Sequence, residues 1–378
     1  MLDKIKVFLN IESNKYIVGE LVYLNKQIFF QYDSKFLEQN INISPVTLPF
    51  NNTVYSNKTN LHGVFKDSLP DGWGRLLVNR YFTKNNTKDV NELDYLAFVG
   101  SNCFGALEYE PCSNYLNNNL IDTNLDKLAE ESIEILNNTS YFADDLLKLN
   151  GSSGGARPKI TVKLDDKYNI SNIGDEYIIK FKTITDDNNI GLHEYVYSLI
   201  AQKSGVEMSK TILLSSKKCG GYFATKRFDR NNNKKLHMHS AAGLLNIDFR
   251  TNFIDYIDLL KLTKIVTKDF NEVIKMFRIM CFNVIIGNKD DHTKNFSFLM
   301  DGKGQWKLSP AYDLVKSDGI NGEHTTTVNG KGKDITDNDL INVGEMFNIK
   351  QETSKDIIEL IKYNLSGFNI LLKQIKNL

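Results

Sequence analysis

A short polar stretch between two apolar segments carries residue types suited to phosphoryl transfer. It reads GNKDDHTKN over Gly287–Asn295 and follows an apolar, helix-like run over about 270–286 that Gly287 is suited to end. Asp290 can accept a proton from a substrate hydroxyl or orient it, and the side-chain oxygen of Asn295 can bind Mg²⁺. A charged turn is the alternative interpretation, which the crowding of polar groups between two apolar segments disfavours.

A second candidate metal ligand follows a short way downstream. Asp313 follows a predicted strand within the segment WKLSPAYDL (Trp306–Leu314). Protein kinases place their second Mg²⁺-binding aspartate at this point of the chain. An Asp near a Pro is by itself typical of a turn, so only the position of Asp313 after the polar stretch favours metal binding.

A loop of small residues, GSSGGARPK over Gly151–Lys159, leads into the strand-like Ile160–Val162. Backbone N–H groups in such a loop can approach phosphate oxygens closely because few side chains intervene, and Arg157 and Lys159 add positive charge. A flexible linker is the more frequent meaning of Gly and Ser in series. The GK[ST] ending of a Walker A loop is absent.

A lysine in an apolar strand and a glutamate in the next helix complete the candidate constellation. Lys180 lies in the strand-like EYIIKF (Glu176–Phe181), and burying its ammonium without a partner would be costly. It is either a solvent-facing edge residue or a clamp on nucleotide phosphates. In the second case Glu194, in the helix-like EYVYSLI, is the carboxylate that orients it, whereas its other interpretation is a solvated helix residue.

The order of these parts predicts the fold. Protein kinases have their elements in the order glycine loop, strand, lysine strand, helix with glutamate, helical lobe, D-x-x-x-x-N and Asp. The chain follows this order, although no HRD or DFG triplet is present. The predicted fold class is α+β, with a small β-rich N-terminal domain followed by a two-lobed protein-kinase-like domain whose C-terminal lobe is mainly helical. β-Branched and aromatic runs predict the first strands, at Lys4–Leu9, Tyr16–Val22 and Gln27–Tyr32. Downstream, Asp67 or Ser68 is predicted to cap a helix.

The chain resembles the HipA family, bacterial kinases that form the toxin half of type II toxin–antitoxin systems. The resemblance implies a β-rich N-terminal subdomain at 1–112, a linker with helices at 113–150 and a kinase domain at 151–378, with an N-lobe at about 151–230 and a C-lobe at about 231–378. The stretches that carry it are DSLPDGWGR (Asp67–Arg75), FVGSNCFGALEY (Phe98–Tyr109), Ser152–Lys159, KRFDR (Lys226–Arg230), HMHSAAG (His237–Gly243), Gly287–Phe296 and Tyr312–Asp313.

The resemblance also implies roles for individual residues, with ATP and Mg²⁺ as cofactors. Asp290 is the catalytic base or hydroxyl-orienting residue, and Asn295 and Asp313 hold Mg²⁺. The implied ATP-binding residues are Ser153, Gly154, Gly155, Lys159, Lys180, Lys226, Phe228 and His292, with backbone groups of Lys226–Phe228 as the adenine hinge. Glu194 orients Lys180. Asp291, next to Asp290, is expected to add charge near the metal site.

Members of the family can phosphorylate a serine of their own glycine loop, which ejects the loop and blocks ATP binding. Ser152 is the match by position, and Ser153 is adjacent, so the choice between them stays open. A phosphoserine at this place would repel the nucleotide phosphates because both are anionic. The implied activity is a serine/threonine protein kinase toxin that acts on a protein such as an aminoacyl-tRNA synthetase and pairs with a helix-turn-helix antitoxin.

Composition limits the partners and the compartment. The 46 Lys and Arg balance the 46 Asp and Glu, which argues against tight DNA binding by this chain alone, so DNA contact is expected only through the antitoxin. The four cysteines form no CxxC pair, and no long apolar stretch or signal peptide is apparent. A cytoplasmic protein without membrane contact is the expectation.

Two other functions are compatible with the same residues. The chain can be a non-catalytic co-repressor that binds an antitoxin, although an inactive kinase would be expected to lose Asp290, Asn295 or Asp313. It can also be a kinase of a small molecule or lipid head group, because a kinase-like fold does not fix the substrate.

Overall fold

A computed structural model describes residues 1–57, 61–113, 124–139, 144–150, 154–231, 234–251 and 253–377. The N-terminal domain is built on an antiparallel five-stranded sheet with strand order β4-β3-β2-β1-β5. Alternate residues of β1 are buried, which is the pattern of a sheet with one face on a core. The three strands predicted first are confirmed. The strands are β1 (Lys4–Ile11), β2 (Asn14–Leu24), β3 (Gln27–Tyr32), β4 (Tyr55–Ser56) and β5 (Leu107–Glu110).

Helices cover this sheet and extend beyond it. They are α1 (Ser34–Leu37), α2 (Gly63–Lys66), α3 (Trp73–Lys84) and α4 (Glu92–Val99). The predicted helix start at Asp67 or Ser68 is wrong: Gly72 precedes α3, and Asp67 ends α2. The Asp67 carboxylate instead accepts hydrogen bonds from the backbone N–H and the hydroxyl of Ser240, far along the chain. A long-range contact therefore takes the oxygen atoms that a local helix cap would have used.

The kinase-like domain begins with a second five-stranded antiparallel sheet, of order β7-β6-β8-β10-β9. Its strands are β6 (Lys159–Leu164), β7 (Ile170–Ser171), β8 (Asp175–Lys180), β9 (Thr211–Leu214) and β10 (Tyr222–Lys226). Ile160, Val162 and Ile179 share a core with side chains of α3, α5 (Leu125–Leu136) and α6 (Asp144–Asn150). Because successive strand side chains point to opposite faces, Lys159 and Lys180 lie on the other face, which meets α7 (Ile190–Lys203).

The C-lobe is mainly helical, as predicted, and includes a small antiparallel sheet of order β13-β14-β15. The longest of its helices, α10, contributes buried side chains such as Met276, Phe277 and Met280 to a core shared with α9 and α12. Among the described residues no helix is both long and apolar enough to cross a bilayer. The elements are β11 (Arg230–Asn231), β12 (Lys234–Lys235), β13 (His237–Ser240), α8 (Ala241–Leu245), α9 (Tyr256–Thr267), α10 (Phe270–Ile286), β14 (Ser297–Met300), β15 (Trp306–Leu308), α11 (Asp337–Met346), α12 (Gln351–Ser366) and α13 (Phe368–Lys376).

The sequence stretches KRFDR and HMHSAAG join the two domains. The buried Asp229 carboxylate pairs with Arg227 and Arg230 and accepts a hydrogen bond from the Gly105 N–H at 2.7 Å. The buried His239 ring bonds to Asp67 at 2.7 Å. These contacts seat the N-terminal domain against both lobes.

Candidate active site

The polar stretch after α10 forms a closed loop. Gly287 ends the helix with a left-handed backbone (φ 72°), as its position predicted. The backbone N–H of Asp290 donates to Ser317 Oγ at 2.8 Å, and Asn295 Nδ2 donates to the Asp290 carbonyl oxygen at 2.8 Å. No described residue donates to Asn295 Oδ1, so that oxygen remains available to a cation. We call residues 288–295 the catalytic loop.

Lys180 lies between two carboxylates. Its ammonium pairs with Glu194 Oε1 and with Asp313 Oδ1, so the buried strand lysine has the partner that its environment requires. Burial alone would lower the pKa of Lys180, but Asp313 and Glu194 raise it above its ordinary value. Burial alone would raise the pKa of Asp313, but Lys180 and Lys159 hold it well below its ordinary range. Lys180 and Asp313 are therefore both ionised at neutral pH.

Asp313 itself adopts a left-handed backbone (φ 54°), which is uncommon outside glycine and asparagine. The side chain of Asn288 holds this residue in place, because Asn288 Nδ2 donates to the Asp313 carbonyl oxygen at 3.0 Å. The same Nδ2 donates to Asn283 Oδ1 of α10 at 2.9 Å. Asn288 thus ties the candidate metal ligand to the catalytic loop, a role that its sequence position alone did not indicate.

The carboxylate of Asp290 lies close enough to Asp313 for the two charges to interact. Burial raises the pKa of Asp290 above its ordinary value, Asp313 adds to that increase, and His292 opposes it. A carboxyl group with a raised pKa is a better proton acceptor than an ordinary one. The His292 ring lies 4.7 Å from the Phe249 ring, and its buried Nδ1 has no hydrogen-bond partner among the described residues.

The described part of the glycine loop lies above a second lysine. Lys159 is the direct cross-strand partner of Lys180, and its ammonium donates to the carbonyl oxygen of Gly154. Burial lowers the pKa of Lys159 to about 8, with Asp313 acting in the opposite direction. Gly155 takes a positive φ of 87° directly above this ammonium. Ser152 and Ser153, the candidate phosphorylation sites, lie outside the described residues.

The predicted hinge leaves one backbone donor free. The Lys226 N–H is taken by the Lys210 carbonyl oxygen at 2.9 Å, and the Lys226 ammonium pairs with Asp175 at 2.6 Å. Within the described chain the Phe228 N–H makes no hydrogen bond, and the Phe228 ring lies 5.6 Å from that of Tyr312. Adenine contact by this segment stays a prediction.

The Asp291 side chain faces the protein interior. It is fully buried and accepts hydrogen bonds from the Tyr256 hydroxyl at 2.8 Å and the Thr326 N–H at 3.1 Å. His324 Nδ1 lies 2.9 Å from the same carboxylate. This carboxylate anchors the catalytic loop to residues 324–326, and its negative charge is one of those that raise the pKa of the neighbouring Asp290, in the direction the sequence led us to expect.

The fold is protein-kinase-like, because it has two lobes, an antiparallel N-lobe sheet, a lysine–glutamate pair and a helical C-lobe. The chain belongs to the HipA family: the profile described as "HipA-like C-terminal domain" matches residues 151–366, and that described as "HipA N-terminal domain" matches residues 9–110.

Comparisons with individual proteins agree with this assignment. The solved HipA–HipB–operator DNA complex of Shewanella oneidensis contains a chain that superposes with a TM-score of 0.71 and 16% identity, covering 98% of this chain and 90% of the other. At that identity the likeness concerns the fold. Two curated proteins of Sinorhizobium fredii, "Putative kinase Y4mE" and "Putative kinase Y4dM", are 37% and 32% identical over 109 and 113 residues. These matches cover 25% and 29% of this chain and about a quarter of each relative, 25% and 27%.

Proposed function

We propose that this chain is a serine/threonine protein kinase that transfers the γ-phosphate of ATP to a protein hydroxyl. The observation that carries the proposal is the Lys180 ammonium held between Glu194 and Asp313 beside the catalytic loop. In protein kinases the lysine–glutamate pair and the metal-binding aspartate must both be in place for transfer. The names of the curated relatives support the same class of reaction.

The residues present fit Mg²⁺. No cluster of three or more His, Cys, Asp or Glu side chains in the described chain is arranged to hold a metal. Mg²⁺ at kinase sites needs no such cluster, since it takes one or two protein oxygens together with phosphate oxygens and water. Asp313 offers a carboxylate and Asn295 a free side-chain oxygen. When bound, Mg²⁺ would neutralise negative charge on the β- and γ-phosphate oxygens.

The other functions of the site are assigned to side chains and backbone groups of the protein itself. Lys180 and Lys159, paired across neighbouring strands, hold the phosphate oxygens, and the backbone of Gly154 and Gly155 covers them. Asp290 orients the acceptor hydroxyl and takes its proton as the new O–P bond forms, while the bond from the γ-phosphorus to the bridging oxygen breaks and ADP leaves. His292 supports the phosphates from the catalytic loop. The Phe228 N–H and the Lys226 carbonyl are the hinge groups proposed to meet the adenine.

The wider role extends the same proposal. A toxin of a toxin–antitoxin pair, bound by a helix-turn-helix antitoxin and contacting DNA only through it, fits the balanced charge of this chain. The structural neighbour was solved with HipB and operator DNA, which supports an antitoxin partner here. A translation-related protein such as an aminoacyl-tRNA synthetase is the proposed target, and Ser152 or Ser153 the proposed site of autophosphorylation in a cytoplasmic enzyme.

Intact-mass measurement after incubation with Mg²⁺-ATP tests the kinase proposal. Phosphate incorporation by the dephosphorylated wild-type chain, absent in Asp290→Asn, is the expected result, and peptide mapping assigns the serine. Neighbouring groups partly desolvate the Asp290 carboxylate, but the residue as a whole is exposed and its side chain makes no hydrogen bond with another described residue, so the variant should fold normally. Incorporation by Asp290→Asn equal to wild type would overturn the assigned role. Failure of the wild type both to incorporate phosphate and to bind AMP-PNP in calorimetry would favour the non-catalytic co-repressor.

A further inference from the structure

A corner of the N-terminal domain reaches the catalytic centre from outside the kinase-like domain. Residues Asp71–Trp73 form the turn that opens α3, and they lie between the glycine loop and the catalytic loop. We call them the Asp71 corner. The contacts on its two sides are independent, and neither is used by the chemistry proposed above.

On the first side the corner contacts the glycine loop through backbone atoms. The Trp73 N–H donates to the Gly155 carbonyl oxygen at 3.0 Å. Gly72 has a positive φ of 46°, and a Cβ atom built there would stand 2.4 Å from the Gly155 carbonyl oxygen. Only glycine permits this approach, because a side chain would push against the backbone that covers Lys159.

On the second side the corner contacts the catalytic loop through charge. The Asp71 carboxylate is 3.3 Å from Lys294 Nζ, and Arg250 binds its other oxygen at 2.6 Å. Burial alone would raise the pKa of Asp71, but Lys294 and Arg250 hold it below its ordinary value, so the carboxylate is charged. Lys294 immediately precedes Asn295, the proposed Mg²⁺ ligand.

Aromatic contacts extend this side to the phosphate-binding histidine. The Phe249 ring lies 5.3 Å from Lys294 Nζ and 4.7 Å from the His292 ring. Asp71, Lys294, Phe249 and His292 therefore form one continuous contact set. A shift of Lys294 would also move His292, two residues before it, and Asn295, the residue after it, because all three lie on the same short loop.

We propose that Asp71 is a positioning residue for phosphoryl transfer: through Lys294 it fixes the catalytic loop, while Gly72 fixes the glycine loop, so the N-terminal domain sets the two loops relative to each other. The inference rests on the proposed kinase function for its catalytic consequence. The loop positioning itself can be measured without catalysis.

The experiment compares full-length Asp71→Asn and Gly72→Ala with Asp33→Asn. The control changes an aspartate of the same domain that caps α1, where asparagine caps equally well. Hydrogen exchange of peptides covering 288–295 and 154–160, AMP-PNP affinity by calorimetry, and phosphate incorporation at saturating Mg²⁺-ATP are measured on each. Asp71→Asn is expected to speed exchange in 288–295 and to slow incorporation about tenfold, with AMP-PNP affinity within about twofold of wild type.

Gly72→Ala is expected to affect the other loop and nucleotide binding, with faster exchange in 154–160 and AMP-PNP affinity about tenfold weaker. Lys294→Gln approaches the same contact from the other side, and adding it to Asp71→Asn should cause little further loss. If both Asp71→Asn and Lys294→Gln match Asp33→Asn in exchange and incorporation, the corner has no positioning role. If the wild type neither incorporates phosphate nor binds AMP-PNP but Asp71→Asn still loosens 288–295, the positioning stands and the kinase proposal fails.

Discussion

Removal of the Lys180 ammonium should cost both stability and nucleotide binding. In Lys180→Met the Glu194 carboxylate, 5% exposed, loses its partner, and breaking a buried pair costs about 3–5 kcal/mol. The Asp313 side chain is 38% exposed and keeps the charge of Lys159 nearby, so its loss of one partner adds little. We therefore expect a loss of about 3 kcal/mol, which for a domain of this size lowers Tm by roughly 6–12 °C.

A double variant separates the two effects. Lys180→Met with Glu194→Leu removes the stranded carboxylate and replaces the pair by apolar groups, a change that is often neutral for stability. Its Tm should return most of the way to that of wild type, while AMP-PNP affinity should stay as weak as in the single variant. Thermal melting and calorimetry on the three proteins provide the test. A single variant that melts like wild type, or a double variant as unstable as the single, would refute the buried-pair reasoning.

Three further predictions concern other parts of the site. Since the pKa of Lys159 is about 8, its ammonium is lost between pH 8 and 9.5, and AMP-PNP affinity should fall there by up to about tenfold per pH unit. Calorimetry on Lys159→Met should show no such dependence of affinity on pH. Asp291→Asn should lower the free energy of unfolding by about 2–3 kcal/mol, because the amide cannot serve both His324 and its other donors, whereas the same change at Asp290 should cost under about 0.5 kcal/mol in denaturant titration. Asp229→Asn should destabilise by about 3–5 kcal/mol, because the buried Arg227 and Arg230 would lose the negative charge between them. It should also speed hydrogen exchange in β5, which follows the Asp229 contact at Gly105, and unchanged exchange there would contradict the interface role.

Short-range patterns in the sequence determined much of the fold. Runs of β-branched and aromatic residues placed β1, β2 and β3, and the apolar run before Gly287 placed the end of α10. These features depend on residues adjacent in the chain, through side-chain alternation and a left-handed helix end. The order of the candidate site residues likewise indicated a kinase-like fold, because that order follows the order of the elements.

The partners of charged side chains could not be predicted in the same way. The sequence left Lys180 as either a solvent-facing or a clamping residue, and its position between Glu194 and Asp313 follows from the packing of α7 against the sheet and the path of the chain after β15. Asp291 faces the interior because Tyr256 and Thr326 offer hydrogen bonds there. The sequence alone cannot show which donors a carboxylate will bind when those donors lie about 35 positions away in the chain.

Only the tertiary structure gave the N-terminal domain its place at the catalytic centre. The carboxylate of Asp67 could cap a local helix or accept hydrogen bonds from Ser240, and in the folded chain it binds Ser240. Gly72 contacts Gly155, and Asp71 contacts Lys294 more than 200 positions away. Local preferences of a few tenths to about one kcal/mol are overridden where burial of a charge or a close backbone approach imposes a larger cost. The sequence therefore determined which elements form and in what order, and packing between domains determined what their polar residues contact.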